Sequence, residues 1–199
     1  MDVVFNSIYA RACMGAGLAV LTGFRAFLPV AFLALYSRLE FASAPVLEDT
    51  WFAFFEKTWV IVILFVLAII ELAVDKMPSL APTRDQIMQP IKIVLGGVVF
   101  AAAMASEHWI AVVVCAVLGL VIAGLADHAL RSISPGPGAD GSSVVFISVY
   151  VDFIVLIGTL VFVLVPLIGA LLALFLFLFV YRLQRRQKRK HKGLRILKG

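Results

Sequence analysis

Cysteine, histidine and catalytic motifs are all scarce in this chain. Its 199 residues hold two cysteines, Cys13 and Cys115, both inside apolar runs, where a thiol serves as a small packing residue. That excludes a disulfide framework, and no CxxC or Cys/His spacing suggests zinc. No HExxH, phosphate loop or nucleophile elbow occurs, so no catalytic residue and no cofactor is assigned. An enzyme acting on a lipid phosphate through acidic residues and a metal is the last-placed reading, and the metal is left open. The start, Met1-Asp2, has no basic stretch before its apolar run, so no cleaved signal peptide is expected. Charged residues make up only 15% of the chain.

What is present is apolar. The hydrophobic share is 63% and the mean hydropathy +1.07, well above the roughly half that is normal for soluble domains. Apolar runs of spanning length recur, which points to an all-α, polytopic membrane protein. The net charge of +5 hides an asymmetry. From Arg182 onward there are nine Lys/Arg and no acid; before it, eight basic residues face twelve acidic ones. The chain therefore divides into a helical membrane domain over 1–181, net −4, and a basic tail over 182–199. That is a bilayer-bound body with a basic anchor, and it excludes a nucleic-acid-binding balance.

Six spans are expected, with five as the alternative. The first, about 8–36, contains Gly23-Phe-Arg25-Ala-Phe-Leu-Pro29, where glycine and proline weaken one turn and favour a break. Within a loop over 37–57, Val46–Trp59 suits an interfacial helix. The second span covers about 58–74, and Pro78 and Pro82 bracket a polar loop to Gln89. Pro90 suits the first position of a third span, about 90–106. A fourth, about 109–130, leads to a loop over Ser132–Ser143. The 38 residues from Val144 to Tyr181 would be about 57 Å of helix, so they should fold back near Pro166–Gly169. With six spans and a cytoplasmic basic tail, both termini are expected in the cytoplasm of an inner-membrane protein. Trp51, Trp59 and Trp109 then share the outer interface.

The charges at membrane depth carry the functional interest, because each costs roughly 2.5–3.5 kcal/mol there unless paired. Arg25 is expected near the midplane. Glu71 and Asp75 are spaced i, i+4 and face one way on their helix, so a cation, proton or arginine should neutralise them. Asp127 and Arg131 have the same spacing and can pair. Ser148, Asp152 and Thr159 share one face of the fifth span. Asp152 and Glu71 are the expected partners of Arg25. Asp75, Lys76, Asp127, His128 and Arg131 form an inner rim, and Pro29 supplies the bend. In the tail, Arg185, Arg186, Lys188, Arg189 and Lys190 can hold anionic lipid headgroups at about 1 kcal/mol per residue, or simply fix topology.

Gly23-x-Arg25-x-x-x-Pro29 and Glu71-Leu-x-x-Asp75-Lys76-x-Pro78 resemble a family of small bacterial integral membrane proteins known as domain of unknown function 4126, over about residues 10–180. The resemblance implies a compact multi-span protein built on those residues and supplies no activity. Two functions follow from the residues. One is a transporter or channel for a small ion or proton-coupled solute, running through Arg25, Glu71 and Asp152 and working as a homodimer. The alternative is a non-transporting scaffold, or a binder of anionic lipid, with a structural ion-pair core.

Overall fold

A computed structural model describes residues 8–77, 81–133 and 141–196. For some helical residues, including 183–196, only the backbone is described. Seven α-helices follow in order among these residues: α1 Ile8–Phe24, α2 Phe27–Arg38, α3 Thr58–Asp75, α4 Ala81–Ala103, α5 Trp109–Ile133, α6 Gly141–Leu164 and α7 Pro166–Ile196. Four contain stretches long and apolar enough to cross a bilayer: Thr58–Asp75, Gln86–Ala103, Trp109–Ser132 and Val145–Leu164. The all-helical membrane class is thereby established.

The expected break falls at Arg25–Ala26, between α1 and α2, but it does more than bend a span. Gly17 lies so close to Phe162 that a β-carbon there would sit 2.7 Å from its ring. The Ser43 N–H donates to the Val163 carbonyl at 3.4 Å. The segment after α2 has therefore returned to the level of the middle of α1. A continuous helix would hold Gly17 and Arg38 about 30 Å apart. The chain reverses, and α1 and α2 form a hairpin.

The core centres on α1. It runs antiparallel to α6, with Leu21 over Gly158 and Arg25 beside Ser148. It runs parallel to α7, with Gly17 on Gly169 and Val20 clustered with Leu176 and Val180. Small residues make the closest approaches. A β-carbon on Gly96 of α4 would lie 2.3 Å from that of Ala123 on α5, and one on Gly119 would lie 2.4 Å from the Gly96 carbonyl. Such contacts let backbones pack where lipid supplies no hydrophobic drive between helices.

These contacts make successive helices alternate in direction. Ile8, Arg38, Thr58, Trp109 and Pro166 mark one end of the bundle, called here the head end. Arg25, Asp75 and Ile133 mark the other, from which α7 runs on as the basic helix. Counting 8–36 as one span put both chain ends on one side; with the reversal, Ile8 and the continuation of α7 lie at opposite ends.

Three local expectations change. The segment 76–89 is not a loop throughout, because α4 begins at Ala81; Pro78 lies outside the described residues. Pro82 sits in the first turn of α4, where a helix needs no N–H from it. Pro90 falls inside the helix instead of starting it, tolerated because neighbouring helices can re-satisfy one freed carbonyl. Val46–Trp59 forms turns and a short 3-10 helix, Ala53–Glu56, in place of an amphipathic helix. Here Glu56 accepts hydrogen bonds from the Ser37 hydroxyl and the Leu47 N–H, at 2.6 and 2.9 Å, and Leu47 and Phe55 are drawn into the core. Of the expected loop Ser132–Ser143, residues 134–140 lie outside the described residues, and the helices close in on both sides. The fold-back near Pro166 occurs at Val165, with Pro166 opening α7.

Candidate functional site

The reversal at Arg25–Ala26 exposes two half-helix ends, and a charge of the fitting sign meets each. Phe24 closes α1, so Arg25 lies at a helix C-terminus, where the dipole favours a cation. Phe27 opens α2, whose first N–H groups have no partner in their own helix. Glu71, projecting from α3, accepts from Ala26 N–H at 2.8 Å and from Phe27 N–H at 3.0 Å, one through each carboxylate oxygen. The acid is 3% exposed. It thus stands in for a capping side chain that Ala26 cannot supply.

Arg25, 4% exposed, gathers three other side chains. Its Nε donates to Asp152 Oδ1 at 2.6 Å, and its Nη2 donates to Asp75 Oδ2 at 2.6 Å. Nη2 also meets the Ser148 hydroxyl at 3.0 Å and the Ser148 carbonyl at 3.2 Å. Ser148 in turn donates its hydroxyl to Asp75. Lys76 reaches the second oxygen of Asp152 at 3.5 Å, from a position 41% exposed. A guanidinium fork bridging two carboxylates on different helices fixes α1 to both α3 and α6, with a geometry that an ammonium would not provide.

A second group abuts the first through Gly23, beside the backbone of Ala123 and Asp127. Asp127, 2% exposed, accepts Arg131 Nε at 2.8 Å and pairs with Lys92 Nζ at 3.4 Å. Lys92 is within electrostatic reach of Glu71 and Arg25 as well. Among the described residues, four cations (Arg25, Lys76, Lys92, Arg131) therefore face four carboxylates (Glu71, Asp75, Asp127, Asp152).

Several expected placements are corrected by this geometry. Arg25 does pair with Asp152, but its other acidic partner is Asp75, and the Glu71 carboxylate binds backbone instead. Asp75, expected at the rim, is at the centre. Arg25 is level with Asp75, the last residue of α3, and so lies toward the tail end and not at mid-depth. Thr159 is in no contact with the cluster: it bonds back to the Val155 carbonyl at 2.6 Å, about 16 Å along α6 from Ser148. His128 points outward, exposed. Pro29 is buried in the first turn of α2. Arg185, Arg186, Lys188, Arg189 and Lys190 lie on the helical backbone of α7, and their side chains are outside the described residues.

Lys92 was missed by sequence reasoning. It is the one basic residue inside the third apolar stretch, and Pro90 two residues earlier drew attention to a helix start instead. Also missed was a pair at the head end, where Arg11 bridges Glu107 at 3.3 Å and contacts Ser106. Among the described residues no group of three or more His, Cys, Asp or Glu is arranged to hold a metal. No buried side-chain nitrogen or oxygen among them lacks a hydrogen-bond partner.

A multi-helix membrane domain with buried ion pairs between its helices is the class these features define. A model of the family described as domain of unknown function (DUF4126) matches residues 12–186. The chain belongs to that family. No curated protein and no solved structure matches it.

Proposed function

We propose that the protein is a non-transporting membrane scaffold with a structural ion-pair core, and that its basic helix engages anionic lipid headgroups. The observation that carries this reading is the charge balance of the cluster. The acidic excess that would favour a cation path disappears once Lys92 is counted, and each carboxylate already has a partner. Buried pairs of this kind add little net stability but are costly to break, which suits a fastener at a chain reversal. Above the cluster, Leu18, Leu21 and Val155 close the interior with apolar side chains.

The second element is α7, a single helix of 31 residues, about 46 Å long. Its apolar part ends near Tyr181 and the basic part follows without interruption. By the positive-inside preference, this end faces the cytoplasm of an inner membrane, and Trp51, Trp59 and Trp109 lie at the outer interface with Ile8. The test compares lipid retention in full chain and in chain ending at Gln184, both purified into nanodiscs of mixed neutral and anionic lipid. Truncation should abolish enrichment of anionic lipid while leaving thermal stability near the parent's. Equal enrichment in both would end the lipid-binding part of the proposal.

A transport reading is favoured by one feature, the broken helix at Arg25–Ala26, since discontinuous helices line many substrate sites. In that reading the cluster is a closed gate at the tail end, and a chain of this size works as a homodimer. It requires solute flux that Asp152→Asn abolishes.

A further inference from the structure

The head end carries a cleft of about 490 Å³ bounded by the end of α2, the loop after it and the start of α3, within the size range of small-ligand sites. Its walls hold opposite charges that leave each other alone. The side chains of Glu40, Glu48 and Lys57, all exposed, make no hydrogen bond or ion pair among the described residues. Arg38 spends one nitrogen on the Glu56 carbonyl at 3.1 Å and on the Thr58 hydroxyl, leaving the rest of its fork open. Lys57 and Thr58, at the start of α3, also line the cleft, and the first turn of a helix favours an anion. Trp59, exposed, adds an aromatic face suited to an ammonium.

Three residues of the same loop, Glu40, Ala42 and Asp49, adopt positive φ of 49, 54 and 60°. At Glu40, which lines the cleft, this conformation closes α2: the Glu40 N–H donates to the Ser37 carbonyl and the Phe41 N–H to the Tyr36 carbonyl.

The geometry points to a binding site for a small phosphate–ammonium zwitterion in this cleft. Arg38, Lys57 and the α3 N-terminus take the phosphate, and Glu40, Glu48 and Trp59 take the ammonium. Left unpaired in one cleft, side chains of both signs match a ligand that carries both. Phosphoethanolamine has this chemistry, and it occurs both as a free solute and as a lipid headgroup. The site lies at the opposite end of the bundle from the charge cluster and the basic helix, and it does not depend on the function proposed for them.

The experiment is calorimetric titration of full-length protein in phosphatidylcholine nanodiscs with phosphoethanolamine, inorganic phosphate and ethanolamine. Phosphoethanolamine is expected to bind at least tenfold more tightly than either half. Glu48→Gln and Lys57→Gln, both exposed positions, should each weaken it at least fivefold with an unchanged unfolding temperature. Glu40→Gln serves as a second acidic variant should Glu48→Gln fail to fold. Binding no tighter than that of phosphate alone, or equal binding by folded variants, overturns the site. Repeating the titration in nanodiscs containing phosphatidylethanolamine separates the sources. Weakened apparent affinity identifies the lipid headgroup as competitor, and unchanged affinity identifies the free solute.

Discussion

Replacing Arg25 by glutamine removes a side chain that joins the α1–α2 reversal to α3 and α6. The guanidinium gives Asp75 and Asp152 a bond of 2.6 Å each. Without it, Asp152 keeps Lys76 at 3.5 Å, from an exposed position, and Asp75 loses its contact with the guanidinium. Breaking one side of a buried pair typically costs about 3–5 kcal/mol, because a charge stays buried without its partner. For a chain of this size, each kcal/mol moves the unfolding midpoint by roughly 2–4 °C, so a fall on the order of 6–20 °C is expected in detergent. The cost should shrink when one of the acids that Arg25 bridges is also removed. In a double-mutant cycle of Arg25→Gln with Asp75→Asn, a favourable coupling of about 1–3 kcal/mol is expected. Coupling below about 0.5 kcal/mol, with both single variants folded, would refute the claim that this pair fastens the reversal.

Three further outcomes follow from particular contacts. Glu71→Ala withdraws the acceptor from the Ala26 and Phe27 N–H groups and should cost about 1–3 kcal/mol; in Glu71→Gln, which keeps one oxygen acceptor, the loss should be smaller, and thermal unfolding ranks the two. Gly96→Leu forces a side chain into Ala123, where even a β-carbon would sit 2.3 Å away. Overpacking of about 1–3 kcal/mol or more is expected, whereas Gly124→Ala, with 3.8 Å of clearance to Ile93, should be close to neutral. Lys92→Met leaves Asp127 with Arg131 alone, and its loss should exceed that of Lys76→Met, because Lys92 is far less exposed than Lys76.

The helices were legible wherever apolar length decided the matter. Thr58–Asp75 and the start of Trp109–Ile133 come straight from hydropathy, and Glu107-His108 reads as a turn because polar residues interrupt two apolar runs there. The break at Arg25–Ala26 was legible as well, since Gly23, Pro29 and a charge in one turn weaken a helix. Its consequence was not. Whether a break bends or reverses the chain depends on tertiary partners such as Phe162 and Val163, which lie well over a hundred residues away and leave no local signal. The same holds for Glu71, whose carboxylate looked like one half of an ion pair. Its partners are backbone N–H groups that exist only once α1 has ended at Phe24. Spacing i, i+4 found the Asp127–Arg131 pair because both members share one helix. Lys92 stayed hidden because its partner Asp127 is on another, brought near by the close packing at Gly96 and Gly119.

Whether the charge cluster fastens the fold without conducting is decided by flux in proteoliposomes. Full-length protein with its unfolding transition intact would be assayed for movement of protons, metal cations and small anions. Flux indistinguishable from that of protein-free vesicles is expected, in parent and in Asp152→Asn alike. Flux of any of these species by the parent that Asp152→Asn removes would contradict it.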